Sequence, residues 1–188
     1  MQFQEDREKL AVGDVKMTMY RVGQDGSTET LREEEYHNLI VSKASVMMAR
    51  RMAPSNATGP ITTNSNHIAN GFTHLALGTG VGTGSLQTPE ASTVALDKLR
   101  TEYFRKPISS WTFLDGSNNP TATPTNVLEL TTDITETEAV AALTEMGLFG
   151  GDAATATANS GHLFNHKVFA VWNKPNDARL KIIWRITF

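Results

Sequence analysis

Glycine recurs at every second position in "HLALGTGVGTGS", residues 74–85, at Gly78, Gly80, Gly82 and Gly84, directly after an apolar run of strand character. Such a loop can cradle a phosphate on backbone N–H groups. It does so at a helix N-terminus, commonly with a lysine and a hydroxyl after the last glycine. Here the next lysine is Lys98, and the loop runs into Leu86, Gln87, Thr88 and Pro89 rather than into an amphipathic helix. A dinucleotide site would also need a strand–helix–strand unit, and the rest of the chain reads as antiparallel strands. The glycines are better read as turn residues: the strand ends at Leu77, and they let the chain turn sharply and pass close to another backbone.

Other side chains could do chemistry. His162 and His166 are four apart, which on a helix could chelate zinc. On a strand that spacing puts both on one face but too far apart for one metal, and no convincing third ligand accompanies them. They are expected on an exposed strand face. The run Glu33, Glu34, Glu35 reads as a solvated block on an edge-like strand, where charge discourages unwanted pairing. Asp133, Glu136 and Glu138 surround a strand end, but no aromatic sugar platform accompanies them, and a glycosidase needs two carboxylates across a cleft. Glu145 is different. It sits inside the apolar stretch "ALTEMGLFGG", where burial demands a partner. A structural ion pair is expected. There is no G-x-S-x-G elbow and no H-E-x-x-H. There is also no cysteine, which excludes disulfides, thiolate metal sites and thiol nucleophiles. The chain reads as a non-enzyme that needs no cofactor and no metal.

The elements that would position these residues are mostly strands. The 188 residues suffice for one domain, alone or with an appended segment. A net charge of −3 gives no general attraction to nucleic acid or an anionic membrane. No apolar run approaches the length of a membrane span, and "MQFQEDREKL" lacks the apolar stretch of a signal peptide. The chain is rich in threonine, which favours half-exposed strands. "DVKMTMYRVG" alternates Val15, Met17 and Met19 against Lys16, Thr18 and Tyr20, and "GQDGST" supplies a hairpin turn into "TETLREEEYHNLIV". One short helix is expected over 42–53, capped by Ser42, and a further turn of helix around "VALDKLRTEYF". "FTHLALG", "ISSWTFLD", "NVLELTTDI", "ALTEMGLFGG", "LFNHKVFAVWN" and "RLKIIWRITF" read as strands separated by turn signals. The fold class is therefore mainly β: an antiparallel β-sandwich with an N-terminal β-hairpin and one short α-helix. It divides into a polar arm (1–13), a hairpin–helix–loop segment (14–71) and the sandwich (72–188). The expected core is Leu75, Leu77, Leu148, Phe149, Leu180, Ile182, Trp184, Ile186 and Phe188. Met17, Met19, Met47, Met48 and Met52 are expected to form a partner surface, since methionine adapts well to contacts.

Taken in order, "HNLIV", "HLALGTG", "ALDKLRTEYFRKPI", "TEMGLFGG" and the closing "KPNDARLKIIWRITF" resemble a family of small structural proteins of tailed bacteriophages. The resemblance runs from about Glu35 to Phe188. It rests on residues 75–80, Leu99, Glu102, Arg105, Ile108, Glu145, Gly147, Leu148, Phe149, Trp184, Ile186 and Phe188. The loop "PSNATGPITTNSNHIAN" is longer than the family pattern leads one to expect. What the resemblance implies is a non-enzymatic virion component near the tail, neck, collar or baseplate. It also places the arginine-rich segment near Glu145, so Arg105 first and Arg100 next are the expected partners of its ion pair. Such a protein is made in the host cytoplasm, and its partners are other virion proteins and further copies of itself rather than nucleic acid or membrane. The competing expectations are a host-recognition or carbohydrate-binding module, a capsid decoration protein and, from the scattered carboxylates alone, a cell-wall hydrolase.

Overall fold

The computed structural model describes residues 12–41, 44, 70–80 and 91–188. Ten strands follow in chain order: β1 (Val12–Val22), β2 (Thr28–Ile40), β3 (Phe72–Gly78), β4 (Glu102–Pro107), β5 (Ser110–Leu114), β6 (Pro120–Thr121), β7 (Val127–Ile134), β8 (Ala142–Gly150), β9 (His162–Asn173) and β10 (Arg179–Thr187). Period-2 patterning explains several directly. In β10, Leu180, Ile182, Trp184 and Ile186 are buried on one face, while Lys181 and Thr187 are exposed on the other. The β1–β2 turn uses Gly26 at φ +80°, and Asp25 Oδ1 accepts the Ser27 N–H at 2.9 Å.

The strands form one antiparallel ladder in the order β4-β3-β8-β9-β2-β1-β10-β7-β5-β6, and two corners join its halves. At one, β2 pairs with β1 from Thr28 to Asn38 and with β9 only through Leu39 and Ile40. At the other, β4 runs almost directly into β5. The Ile108 N–H donates to the Thr73 carbonyl of β3 (3.0 Å) and the Ser109 N–H to the Thr131 carbonyl of β7 (2.8 Å). The segment that edges one half is therefore also the edge of the other. A single buried cluster draws on both halves: Met17, Leu130 and Trp184 from one, Leu77, Leu148 and Phe164 from the other.

Four expectations need correcting. The hairpin is not set apart: β1 lies between β2 and β10 in mid-ladder, so 14–71 is not separable from 72–188. Met17 and Met19 are consequently core residues, 0% and 4% exposed, not a partner surface. An isolated hairpin cannot cover its own apolar face, so that row joins the row of β10. The glutamate run of β2, by contrast, does lie along an open edge: Glu33, Glu34 and Glu35 pair with β1 on one side, while β9 joins β2 only at Leu39 and Ile40. Glu33 and Glu35 face outward to Lys16, while Glu34 binds Arg32 and the Tyr36 hydroxyl. Phe188 is 41% exposed because it lies past the end of β10, where only its ring touches Phe164. Finally, "VALDKLRTEYF" holds no helix: residues 91–101 form an irregular strap that leads into β4. Of the helix expected at 42–53 only Ala44 is described, and it is helical and buried. Residues 1–11 and 54–69, Gly82, Gly84, Met47, Met48 and Met52 lie outside the described residues.

The strap has a structural task. It crosses the outer face of β3, β8 and β9, where Leu96 and Leu99 pack with Val41, Ala76, Phe149 and Leu163 in a second buried cluster. β8 is thus buried on both faces, which is why "ALTEMGLFGG" shows a near-continuous apolar run rather than alternation.

Candidate functional site

The sequence motifs converge beneath this strap. In the β3–β8 register Gly78 stands opposite Glu145 and Ala76 opposite Gly147, and β9 places His166 opposite Gly147. Glu145 and His166 both have no solvent exposure. Glu145 Oε1 accepts the Thr101 N–H at 2.7 Å. Its Oε2 accepts the Arg100 N–H at 3.0 Å and lies 2.9 Å from His166 Nε2. On the far side of the imidazole, Ser92 Oγ lies 2.8 Å from Nδ1. An ionised carboxylate only accepts, so the Nε2 that faces Glu145 carries a proton, and the Ser92 hydroxyl, which can donate or accept, meets the ring at Nδ1. Burial pushes the Glu145 carboxyl up, but the His166 hydrogen bond and the Thr101 and Arg100 N–H donors outweigh it, so its pKa falls below the usual value.

Two glycines make room for this knot. A Cβ on Gly78 would collide with the Glu145 side chain and lie 2.6 Å from the Thr101 carbonyl oxygen. That carbonyl also accepts the Thr79 N–H. A Cβ on Gly147 would lie 2.6 Å from Leu163 Cδ1 and 2.9 Å from the Asn165 carbonyl oxygen. Gly80 takes φ +53°, a left-handed turn conformation.

The expected Glu145–Arg105 pair does not form. Arg105 instead makes a two-pronged contact with Glu102, Nε to Oε1 at 2.7 Å and Nη2 to Oε2 at 2.8 Å, both side chains only 2% exposed. Its guanidinium lies 4.0 Å above the Phe149 ring, and Nη1 donates to the Ser160 carbonyl at 2.8 Å. Glu102 in turn accepts the Asn159 N–H at 2.8 Å. This pair clamps the β8–β9 hairpin tip onto β4. Glu145 takes its donors from strap backbone and histidine instead, and Glu102, on the same strand as Arg105, occupies that guanidinium.

Serine, histidine and carboxylate in a chain invite comparison with hydrolytic triads. There the histidine must shuttle a proton at a surface the substrate reaches. Here His166 and Glu145 are sealed under the strap, and the serine belongs to the strap itself. The chain of hydrogen bonds joins a covering segment to the sheet. His166 is therefore buried rather than on an exposed strand face, which corrects the expectation for it. Among the described residues no three His, Asp or Glu side chains are grouped so as to hold a metal ion.

Elsewhere the charged groups are also committed to partners. A cleft of about 320 Å³ on the outer face includes Asp14, Lys16, Glu35, His37, Glu129 and Arg185 in its lining. Lys16 pairs with Glu33 and Glu35, His37 with Asp14, and Arg185 with Glu129. Glu136 binds Arg179 and Glu138 binds Lys106. Where β2 and β9 are not paired, Arg32 bridges them. It donates to the Val171 carbonyl at 2.8 Å, binds Glu34 and lies 4.4 Å from the Trp172 ring centre. Burial is the first cause raising the Tyr36 pKa, and the hydrogen bond to Glu34 adds to it.

Sequence reasoning singled out Glu145, Gly78 and Arg105 but missed Ser92, Glu102 as a partner, and His166 as a buried one. A usable signal exists for the last. "FNHKVF" places Asn165 and His166 inside an apolar strand, as "LTEMGL" places Glu145, and polar residues interrupting neighbouring apolar strands are candidates for each other. Comparison with known protein families, curated proteins and solved structures gives no match.

Proposed function

We propose that this chain is a non-enzymatic structural component of a tailed bacteriophage particle, assembling through protein–protein contacts in the tail, neck, collar or baseplate region. One observation carries the reading most of the way. About half of the residues on which the phage-family resemblance rests, Ala76, Gly78, Leu99, Glu102, Arg105, Glu145, Gly147 and Phe149 among them, lie at one buried junction that pins a strap and a hairpin tip to the sheet. Those motifs serve shape rather than turnover, as a building block requires, and no mechanism beyond folding and binding is asked of them.

The test is genetic. Loss of the gene should leave particles arrested or incomplete, and expression in trans should restore them. Normal infectious particles without the protein would count against the proposal. The carbohydrate-binding alternative draws on one feature, the exposed Trp111. Specific binding of the purified protein to a glycan array, lost in Trp111→Ala, would favour it over a purely structural role.

A further inference from the structure

The core-facing rows of the sheet do not end where the core ends. Trp184, Leu130 and Trp111 stand opposite one another across β10, β7 and β5, and so do Ile186, Leu128 and Phe113. Residues directly opposite in an antiparallel ladder share a face. Trp111 and Phe113 therefore extend the core rows outward. Trp184 and Leu130 are buried, yet Trp111 is 64% exposed, its ring edge-on to Phe113 at 5.6 Å. The backbone beside them is open as well. β6 pairs only with Phe113 and Leu114, so among the described residues Ser110, Trp111 and Thr112 have no strand on their outer side. Exposed aromatic side chains in line with a core, next to an unpaired edge, form a template for an added strand.

We propose that this β5 edge receives the N-terminal arm, residues 1–11, of a second copy of the chain, with Met1 and Phe3 laid against Trp111 and Phe113. The proposal rests on the assembly reading above and names one of its contacts. Three observations select the occupant. Val12 pairs with Thr187, which pairs with Val127, so the arm leaves the ladder at the rim that carries Phe188. "MQFQ" alternates two apolar with two polar residues, so an extended arm presents Met1 and Phe3 to one face. Residues 4–12 contain no glycine or proline, and Asp6 is their single turn-favouring residue, so nothing in the stretch forces a reversal onto the chain's own β5. That strand is three spacings from β1, roughly 14 Å. An extended arm of this length reaches roughly 36 Å outward, enough to cross to a neighbour. Reciprocal exchange of arms closes a two-fold dimer.

Light scattering and quencher access to tryptophan test this together, because Trp172 and Trp184 are fully buried and Trp111 is the accessible reporter. The full chain is expected to be a dimer with a shielded Trp111. Deletion of residues 1–11 should give a monomer with an accessible Trp111, and Trp111→Ser should also be monomeric. Cooperative melts of both variants check that each still folds. Mixing the two should restore a 1:1 complex, since one retains the edge and the other the arm. A monomeric full chain overturns the proposal, whether Trp111 is shielded (the arm docks on its own chain) or accessible (the arm does not dock). A dimer that survives arm deletion overturns it too. None of these outcomes bears on whether the chain is incorporated into particles, which the genetic test reads separately.

Discussion

Replacing Glu145 with alanine removes the one acceptor shared by three donors: the part-buried Arg100 and Thr101 N–H groups and the buried His166 Nε2–H. Each buried donor left without a partner costs about 1–3 kcal/mol. The strap can relieve part of that cost for its two N–H groups by lifting into water, so we expect a loss of about 2–5 kcal/mol, against a total stability of about 5–15 kcal/mol for a domain. Glu145→Gln keeps the shape but turns an NH2 toward a donor, and should fall between alanine and the native residue. Urea titration measures the loss. Trypsin locates it, because Lys98 and Arg100 lie on the strap and should become cleavable before the sheet unfolds. The pH dependence has a definite sign. The folded-state pKa of Glu145 is depressed, so its contribution is present above the ordinary carboxylate value of 4.5 and is lost as pH falls through the folded value. Glu145→Gln should flatten that acid limb. A Glu145→Ala protein within about 0.5 kcal/mol of native, the range of an inconsequential surface change, with native trypsin resistance at the strap, would refute the account of the knot.

Arg105→Ala should free the hairpin tip, read as proteolytic cleavage within residues 151–161, and cost about 3–5 kcal/mol because Glu102 is left buried without its partner. Gly147→Ala should destabilise by about 1–3 kcal/mol, since its Cβ would press on Leu163 and the Asn165 carbonyl, which cannot both retreat; thermal melts measure this. Truncation after Ile183 removes Trp184 and Ile186 from the core and should leave insoluble or unfolded protein, so a cooperative melt from the truncated chain would contradict the placement of β10.

Much of this was legible from alternation. β10 announces its buried face through four apolar residues at period 2, and β1 does the same with Val15, Met17 and Met19. What alternation does not convey is which strand lies beside which. Reading β1 and β2 as an outlying hairpin turned Met17 and Met19 into a surface, when long-range pairing with β10 makes them core. The anomaly at Glu145 was visible, since an acid in an apolar run needs a partner. Its partner was not, because it depends on the β8–β9 register and on a strap that covers the outer face. An uncovered outer face would have left His166 in solvent, as the spacing of His162 and His166 suggested. Phe188 shows the limit of a pattern at a chain end: it keeps the alternation of β10 but lies beyond the rim where the other half of the core could cover it.

The central claim is that the chain is a part of the particle. A reconstruction of purified phage particles by electron cryomicroscopy tests it most directly. The account predicts a ten-stranded ladder with its strap and clamped hairpin tip, repeated in symmetry-related copies in the tail, neck, collar or baseplate. Particles complete in those regions with no density for this fold, and with the protein found only in the unassembled fraction of the lysate, would contradict it.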